Sequence, residues 1–200
     1  VIPGGIGNTE LQVETIKKLK PSFYIGTPSF LKIILEKIKN NNSGVPSIKN
    51  ALVGAEAFPK ELRNYLSNSF DICPLQMYGT AEVGCIAYET KDKKDKVNKG
   101  MIVEENIILE IVRPGSLEPA VNGEVGEVVI TKLNSSYPML RLATGDLSAI
   151  IEEPSPCGRT NTRIAGWMGR AEQSTKVKGL FITPNQLTKI TQAFKELFKV

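Results

Sequence analysis

Apolar residues in the first eighty positions recur at two spacings. In "PSFLKIILEKIK", Leu31, Ile34, Leu35 and Ile38 fall at i, i+3, i+4 and i+7, one face of an α-helix. Thr27-Pro28-Ser29 opens that helix, with proline in its first turn, where a missing N–H costs nothing. "NTELQVETIKKLK" repeats the helical pattern behind an Asn8/Thr9 cap. A third helix starts at Pro59, with Leu62, Tyr65 and Leu66 on one side. Short β-favouring runs alternate with these helices. "SFYIG" is one, and "IKNALVGAE" is a buried strand ending in a glycine turn. "ICPLQMYG" and "CIAYE" are two strands flanking a tight turn at Gly79, and "NNNSGVPS" is a loop. Strand, helix, strand, helix, strand predicts an α/β half-domain: a parallel sheet covered by helices, with right-handed crossovers.

The pattern changes at the charged stretch "ETKDKKDKVNKG". Beyond it come "NIILEIVRP", "GEVGEVVITKL" and "PMLRLATGDLSAII", β-rich runs broken by Gly, Pro and Asn with no helix between them. This predicts antiparallel hairpins forming a β-rich, barrel-like subdomain. A helix returns at Pro184, with Leu187, Ile190, Phe194 and Leu197 as its apolar stripe. The expected division is an α/β subdomain over 1–99, a β-rich subdomain over 100–168, and the start of a small α+β lid domain over 169–200. The chain starts without Met and stops inside a helical pattern, so it reads as a piece of something longer.

Composition narrows the chemistry. Two hundred residues, 41% hydrophobic and 23% charged, suffice for a real core. Net charge is +4 from 25 basic and 21 acidic residues. That suits a site for an anionic ligand, and no basic run interleaved with aromatics argues for nucleic acid. There is no histidine, which excludes Ser-His and Cys-His catalysis and His-ligated metals within this chain. Cys73, Cys85 and Cys157 are odd in number and lack CxxC spacing, so reduced thiols in a cytoplasmic protein are expected. No apolar run is long enough to span a bilayer.

Several short stretches carry candidate chemistry. In "MYGTAEVG" a strand ends at Tyr78, whose flat face can stack a base, and Glu82 follows as a hard oxygen ligand for Mg²⁺. A core tyrosine and a solvated glutamate explain it as well. In "VGAEAFP", Gly54 lets something approach the backbone and Glu56 lies beside it, or this is a plain βα turn. In "ATGDLS", Asp146 follows Gly145; its carboxylate can accept from two vicinal hydroxyls, or it caps its own turn. "GRAEQSTKVKG" gathers Arg170, Lys176 and Lys178, suited to an anionic ligand or to a wet linker.

The combination is more specific than its parts. "GGIGNTE", "GTPSFL", "VGAEAFP", "YGTAEVG", "ATGDLS", "CGRTNTRI", "GRAEQSTKVKG" and "FITPNQ" occur in that order. Together they closely resemble the phenylacetate–CoA ligase family of the adenylate-forming enzymes, from Gly4 to about Leu187. The resemblance implies ATP, Mg²⁺ and coenzyme A as cofactors and a small carboxylic acid, expected to be aromatic, as substrate. It implies acyl-adenylate formation followed by thioester formation. Carried over by position, Gly54, Ala55 and Glu56 resemble the adenine-side turn. Tyr78 and Gly79 resemble the base-stacking segment, and Glu82 the Mg²⁺-associated glutamate. Asp146 and Arg170 resemble the groups that hold the ribose, and Glu172 the interdomain hinge acid. The resemblance also implies a phosphate loop upstream of Val1 and a catalytic lysine further downstream, so the chain alone is expected to be inactive. Relatives often dimerise, which leaves a homodimer open.

Two positions depart from the family pattern. The usual Tyr-Gly-x-Thr/Ser-Glu has its hydroxyl where Ala81 stands here, with Thr80 one residue earlier. The hinge acid is usually Asp and here is Glu172, followed by Gln173. Two rival readings follow: an adenylyltransferase of the coenzyme F390 synthetase type, and a non-catalytic nucleotide-binding module.

Overall fold

The structure is a computed structural model that describes residues 7–40, 46–173, 175–177, 180–182 and 184–194. The chain divides into two compact units, one up to Gly79 and one from Thr80 on.

The first unit alternates helices with parallel strands. Helix α1 (Thr9–Leu19) buries Gln12, Val13 and Ile16. Asn8 stands at its N-cap without a side-chain cap bond, so only the backbone carbonyl of the expected cap contributes. Strand β1 (Phe23–Gly26) leads into α2 (Pro28–Asn40), whose Leu31, Ile34, Leu35 and Ile38 are all buried, as the spacing predicts. Strand β2 (Asn50–Val53) is followed by α3 (Lys60–Phe70), with Pro59 at its N-cap. Leu66 is buried, whereas Tyr65 lies at the rim, where its hydroxyl donates to Glu36 at 2.8 Å. Strand β3 (Cys73–Thr80) pairs parallel to β2, and β2 parallel to β1. The core lies on one face of these strands: Val13, Ile16, the α2 stripe, Ile48, Ala51, Val53, Leu66, Phe70 and Ile72. The "NNNSGVPS" loop falls mostly outside the described residues.

One expected turn is displaced. Gly79 lies inside β3, and the turn closes at 81–83, before β4 (Gly84–Tyr88). The left-handed glycine is Gly84, at φ +81°, a conformation that glycine adopts without a Cβ penalty. Thr80 Oγ1 accepts from the Val83 amide at 3.3 Å and fixes the bend.

The second unit is β-rich. Strand β4 runs antiparallel to β5 (Met101–Val103), and β5 to β10 (Arg163–Ile164), which pairs with β9 (Ile150–Ile151). Strands β6 (Ile107–Val112), β7 (Gly126–Lys132) and β8 (Met139–Ser148) form an antiparallel meander, with two register shifts between β7 and β8. Val128, Ile130, Leu147 and Ile164 are fully buried. The expected barrel does not close among the described residues, because β7 pairs on both sides while the meander stays open at β6. Arg163 of β10 is buried in this unit; it donates to the carbonyls of Lys99, Glu153 and Pro154 and so ties two loops to the strand. A 3₁₀ turn (Ala171–Gln173) precedes the hairpin β11 (Thr175–Val177) and β12 (Leu180–Ile182), then α4 (Pro184–Ala193). Leu187, Ile190 and Phe194 are exposed, and Leu197 lies outside the described residues. All three cysteines are free, and no described helix is long and apolar enough to cross a membrane.

Candidate functional site

In the first unit, the carboxyl ends of the parallel strands carry two of the motifs. Open α/β sheets place ligands at that edge. Val53 ends β2, paired with Gln76 of β3, so residues 54–56 and 78–79 emerge side by side. Gly54 is required there: a β-carbon would sit 2.8 Å from Met77 Cγ and 2.9 Å from the Met77 carbonyl oxygen. Ala55 adopts φ +65°, a left-handed conformation that costs a residue with a Cβ about 1 kcal/mol. Glu56 has a structural partner: its Oε1 accepts from the Ser29 amide at 2.6 Å, capping α2. A carboxylate at a helix N-terminus meets both an orphan N–H and the positive end of the dipole. Tyr24 lies nearby and donates its hydroxyl to the Thr27 carbonyl at 3.0 Å. Burial, and then the Glu56 charge, push the Tyr24 phenol up to about 12. The Tyr78 ring is buried, 7% exposed, whereas Gly79 is exposed.

In the second unit, Thr80 ends β3 immediately before the 81–83 turn, which carries Glu82. The Thr80 oxygen accepts the Val83 amide, which leaves its O–H proton to donate. Glu82 is exposed and makes no ion pair among the described residues. Lys132 of β7 reaches back to this turn, with Nζ 3.0 Å from the Val83 carbonyl.

Asp146 is the most elaborately held candidate. It is 8% exposed near the end of β8. Its Oδ1 accepts from Trp167 Nε1 at 2.9 Å and from Arg170 Nη1 at 3.2 Å. Arg170 Nη1 also donates to the Thr144 carbonyl at 3.0 Å, and the Thr144 hydroxyl accepts from the Asp146 amide at 3.1 Å. The backbones of Asp146 and Arg170 form an antiparallel bridge, and the Leu147 amide bonds the Gly169 carbonyl at 2.8 Å. Gly145, at φ +71°, makes room for the arginine: a β-carbon there would meet Nη2 at 2.9 Å. The hydrogen bond to Asp146, then its charge, raise the Arg170 pKa above its already high value. Arg170 Nε also lies 3.5 Å from Glu172 Oε1, on the 3₁₀ turn.

The structure thus brings Asp146, Arg170 and Glu172 together in one unit and Gly54, Ala55, Glu56, Tyr78 and Gly79 along one strand edge in the other. The side chain of Lys176 and the whole of Lys178 lie outside what is described. Sequence reasoning missed Trp167 and Lys132. Trp167 had a faint signal as the chain's lone tryptophan, three residues before Arg170. Lys132 had none, since its partner lies 49 positions away. No group of three or more Cys, Asp or Glu able to cage a metal occurs among the described residues.

Comparisons with known proteins agree on a family. The AMP-binding enzyme model matches residues 2–135. Phenylacetate-coenzyme A ligases from Thermus thermophilus and Pseudomonas putida are 28% and 29% identical over 98% of this chain. The chain spans about half the length of these relatives, 45% of each. Among solved structures, a 2-hydroxyisobutyryl-CoA ligase in an open conformation with 2-HIB-AMP and CoA shares the fold at TM-score 0.80. It is 23% identical, over 96% of this chain and 46% of that one. An anthranilate CoA ligase in complex with anthranoyl-AMP matches at TM-score 0.64 and 17% identity, over 94% of this chain and 37% of that one. With a family model matched over about two thirds of its length, the chain belongs to the AMP-binding enzyme family.

Proposed function

We propose that the chain is part of an ATP-dependent acid–CoA ligase of the phenylacetate–CoA ligase kind. The observation that carries this reading is the Asp146 carboxylate, braced on one oxygen by Arg170 and Trp167 at the end of a strand. A buried, bonded carboxylate of this sort is suited to receive two vicinal hydroxyls, as on a ribose. In the reaction, an oxygen of the substrate carboxylate attacks the α-phosphorus of ATP and the bond to pyrophosphate breaks. The coenzyme A sulfur then attacks the acyl carbon, and AMP leaves with the bonding electrons. Both steps develop negative charge, which fixed donors stabilise.

The roles divide by residue. Asp146 and Arg170 hold the ribose. Gly54, Ala55 and Glu56 border the adenine, where Gly54 and the left-handed Ala55 let a base approach the backbone. Tyr78 stacks the base, which requires its buried ring to be uncovered. Thr80 donates its remaining hydroxyl proton to a phosphate oxygen, in place of the hydroxyl that Ala81 lacks. Magnesium fits Glu82, because one exposed carboxylate plus phosphates and water is its usual set, whereas a protein cage is not. When bound, the ion neutralises charge on the departing pyrophosphate. Residues 1–99 would be the α/β subdomain, 100–168 the β-rich subdomain and 169–200 the hinge and lid, turning at Glu172. An aromatic acid is the favoured substrate, from the relatives' names, and the protein is cytoplasmic.

Replacing Asp146 with Ala tests the reading. Charged hydrogen bonds contribute about 1.5–3 kcal/mol each, so nucleotide affinity should fall at least about tenfold. Unchanged affinity in a folded variant would overturn the ribose assignment. A second reading, a nucleotide-binding module without catalysis, is favoured by Ala81 alone. A longer protein carrying the upstream phosphate loop that releases AMP with phenylacetate and CoA excludes it. A stable adenylyl product instead of AMP would identify the adenylyltransferase.

A further inference from the structure

We propose that Trp167 is a positioning residue for ribose recognition: its indole N–H and the Arg170 guanidinium share Asp146 Oδ1 and fix the plane of the carboxylate. This rests on the nucleotide-site reading above and adds a residue to it. The donors arrive from one stretch of backbone, since residues 165–170 run alongside β8 through bonds of Ala165, Met168 and Leu147. Trp167 and Arg170 therefore converge on the same acceptor from a bonded ribbon rather than from two loops. Trp167 Nε1 is the nearer donor, at 2.9 Å against 3.2 Å for Arg170 Nη1. Arg170 divides its Nη1 between Asp146 and the Thr144 carbonyl. The indole has a single N–H, and it is committed to Asp146. An arginine alone can slide along either carboxylate oxygen. A second, single-directional donor on Oδ1 removes that freedom and orients the carboxylate before a nucleotide arrives. Preorganisation of this kind raises affinity without touching the ligand.

Trp167 is 46% exposed and so is not a core residue, while its N–H is committed to Asp146. That predicts a selective defect. Without the indole N–H, the chain loses its preference for nucleotides with both ribose hydroxyls, while binding of the same nucleotide lacking them changes little. A tryptophan that merely supported the fold would weaken both alike.

The experiment compares the 200-residue chain with its Trp167→Phe variant, which keeps an aromatic ring and deletes the donor. Calorimetric titration measures AMP and 2′,3′-dideoxy-AMP on each. The expected result is that the ratio of the two dissociation constants falls by about fivefold or more in the variant, the effect of one charge-assisted bond. An unchanged ratio overturns the inference. Equal weakening of both ligands overturns it too and assigns Trp167 a structural role. If the unmodified chain fails to bind AMP, or binds both ligands equally, the ribose reading itself falls and takes the inference with it. Should Trp167→Phe not fold, the unmodified chain still decides. Trp167 is its sole tryptophan, so its emission must shift more with AMP than with the dideoxy nucleotide. Identical shifts at saturation overturn the proposal.

Discussion

Gly145→Ala separates backbone strain from loss of the arginine clamp. Gly145 has φ +71° and Gly158 has φ +85°, so a β-carbon at either position enters the left-handed region at about 1–2 kcal/mol. The surroundings differ. At Gly158 nothing lies within 4 Å, whereas at Gly145 the new carbon meets Arg170 Nη2 at 2.9 Å and Cζ at 3.2 Å. The obstacle is the far end of a flexible side chain, so the clash is relieved by moving the guanidinium. What is lost is its bonding to the Thr144 carbonyl and to Asp146. The Arg170 side chain is 39% exposed, so each bond is screened to about 0.5–1 kcal/mol rather than the larger value of a buried pair. Gly158→Ala should therefore destabilise by about 1–2 kcal/mol, and Gly145→Ala by about 2–4 kcal/mol. Urea unfolding of the two variants beside the unmodified chain gives the difference, with the denaturant slope checked for constancy. AMP titration should show a further loss only at Gly145. If Gly145→Ala is no worse than Gly158→Ala in stability and binds AMP normally, Arg170 is not held as described.

Three further outcomes are expected. In a longer protein competent for both half-reactions, Glu82→Gln should slow adenylation by more than it slows thioester formation from supplied acyl-adenylate, because pyrophosphate is absent from the second step; equal slowing would make Glu82 structural. Lys132→Met should cost about 1 kcal/mol in unfolding free energy, by leaving the Val83 carbonyl without its donor; no loss would mean water replaces it fully. Tyr24→Phe should alter alkaline stability. The folded-state pKa is raised to about 12 from 10, so the neutral phenol's contribution is complete below pH 10 and is lost as pH rises toward 12. The unmodified chain should lose more stability over that interval than Tyr24→Phe, and parallel profiles would contradict the assignment.

What could be read from the sequence follows a physical division. The α2 stripe was legible because a helix repeats its burial every turn, and all four of its residues are buried. The parallel order β1, β2, β3 followed from helices between short apolar runs. The turn after Tyr78 was misplaced because "YGTAEVG" contains two glycines, and sequence does not reveal which one takes positive φ. The answer, Gly84, depends on Thr80 capping Val83. Tyr65 looked like a core residue because its ring is apolar, yet a hydroxyl bonded to Glu36 holds it at the rim. Barrel closure was not legible at all, since it depends on pairing between strands distant in sequence. Asp146 stood out in the sequence as an acid behind a Thr-Gly pair, but the turn expected there is absent: Asp146 lies within β8, where Gly145 at φ +71° bends the strand instead. Its second donor was not legible, because an indole N–H aimed at a carboxylate 21 positions away leaves no local pattern.

The same bonds bear on where a lid would pivot. Arg170 contacts acids on both sides, Asp146 before it and Glu172 after it, and the two contacts are unequal. Toward Asp146 it has a side-chain bond, a shared bond to the Thr144 carbonyl and a backbone bridge. Toward Glu172 it has an ion pair at 3.5 Å to an acid that is 72% exposed. Exposed pairs of that kind contribute roughly 0–1 kcal/mol. Arg170 is thus anchored to β8, and Glu172 is held to it only weakly. The 3₁₀ turn buries no side chain, so few contacts resist a change of φ and ψ within it. A rotation of the segment that follows would break the Glu172 contact first and leave the Asp146 clamp intact. On the ribose and hinge roles proposed above, this inequality would let one arginine stay on Asp146 while the chain after Glu172 turned.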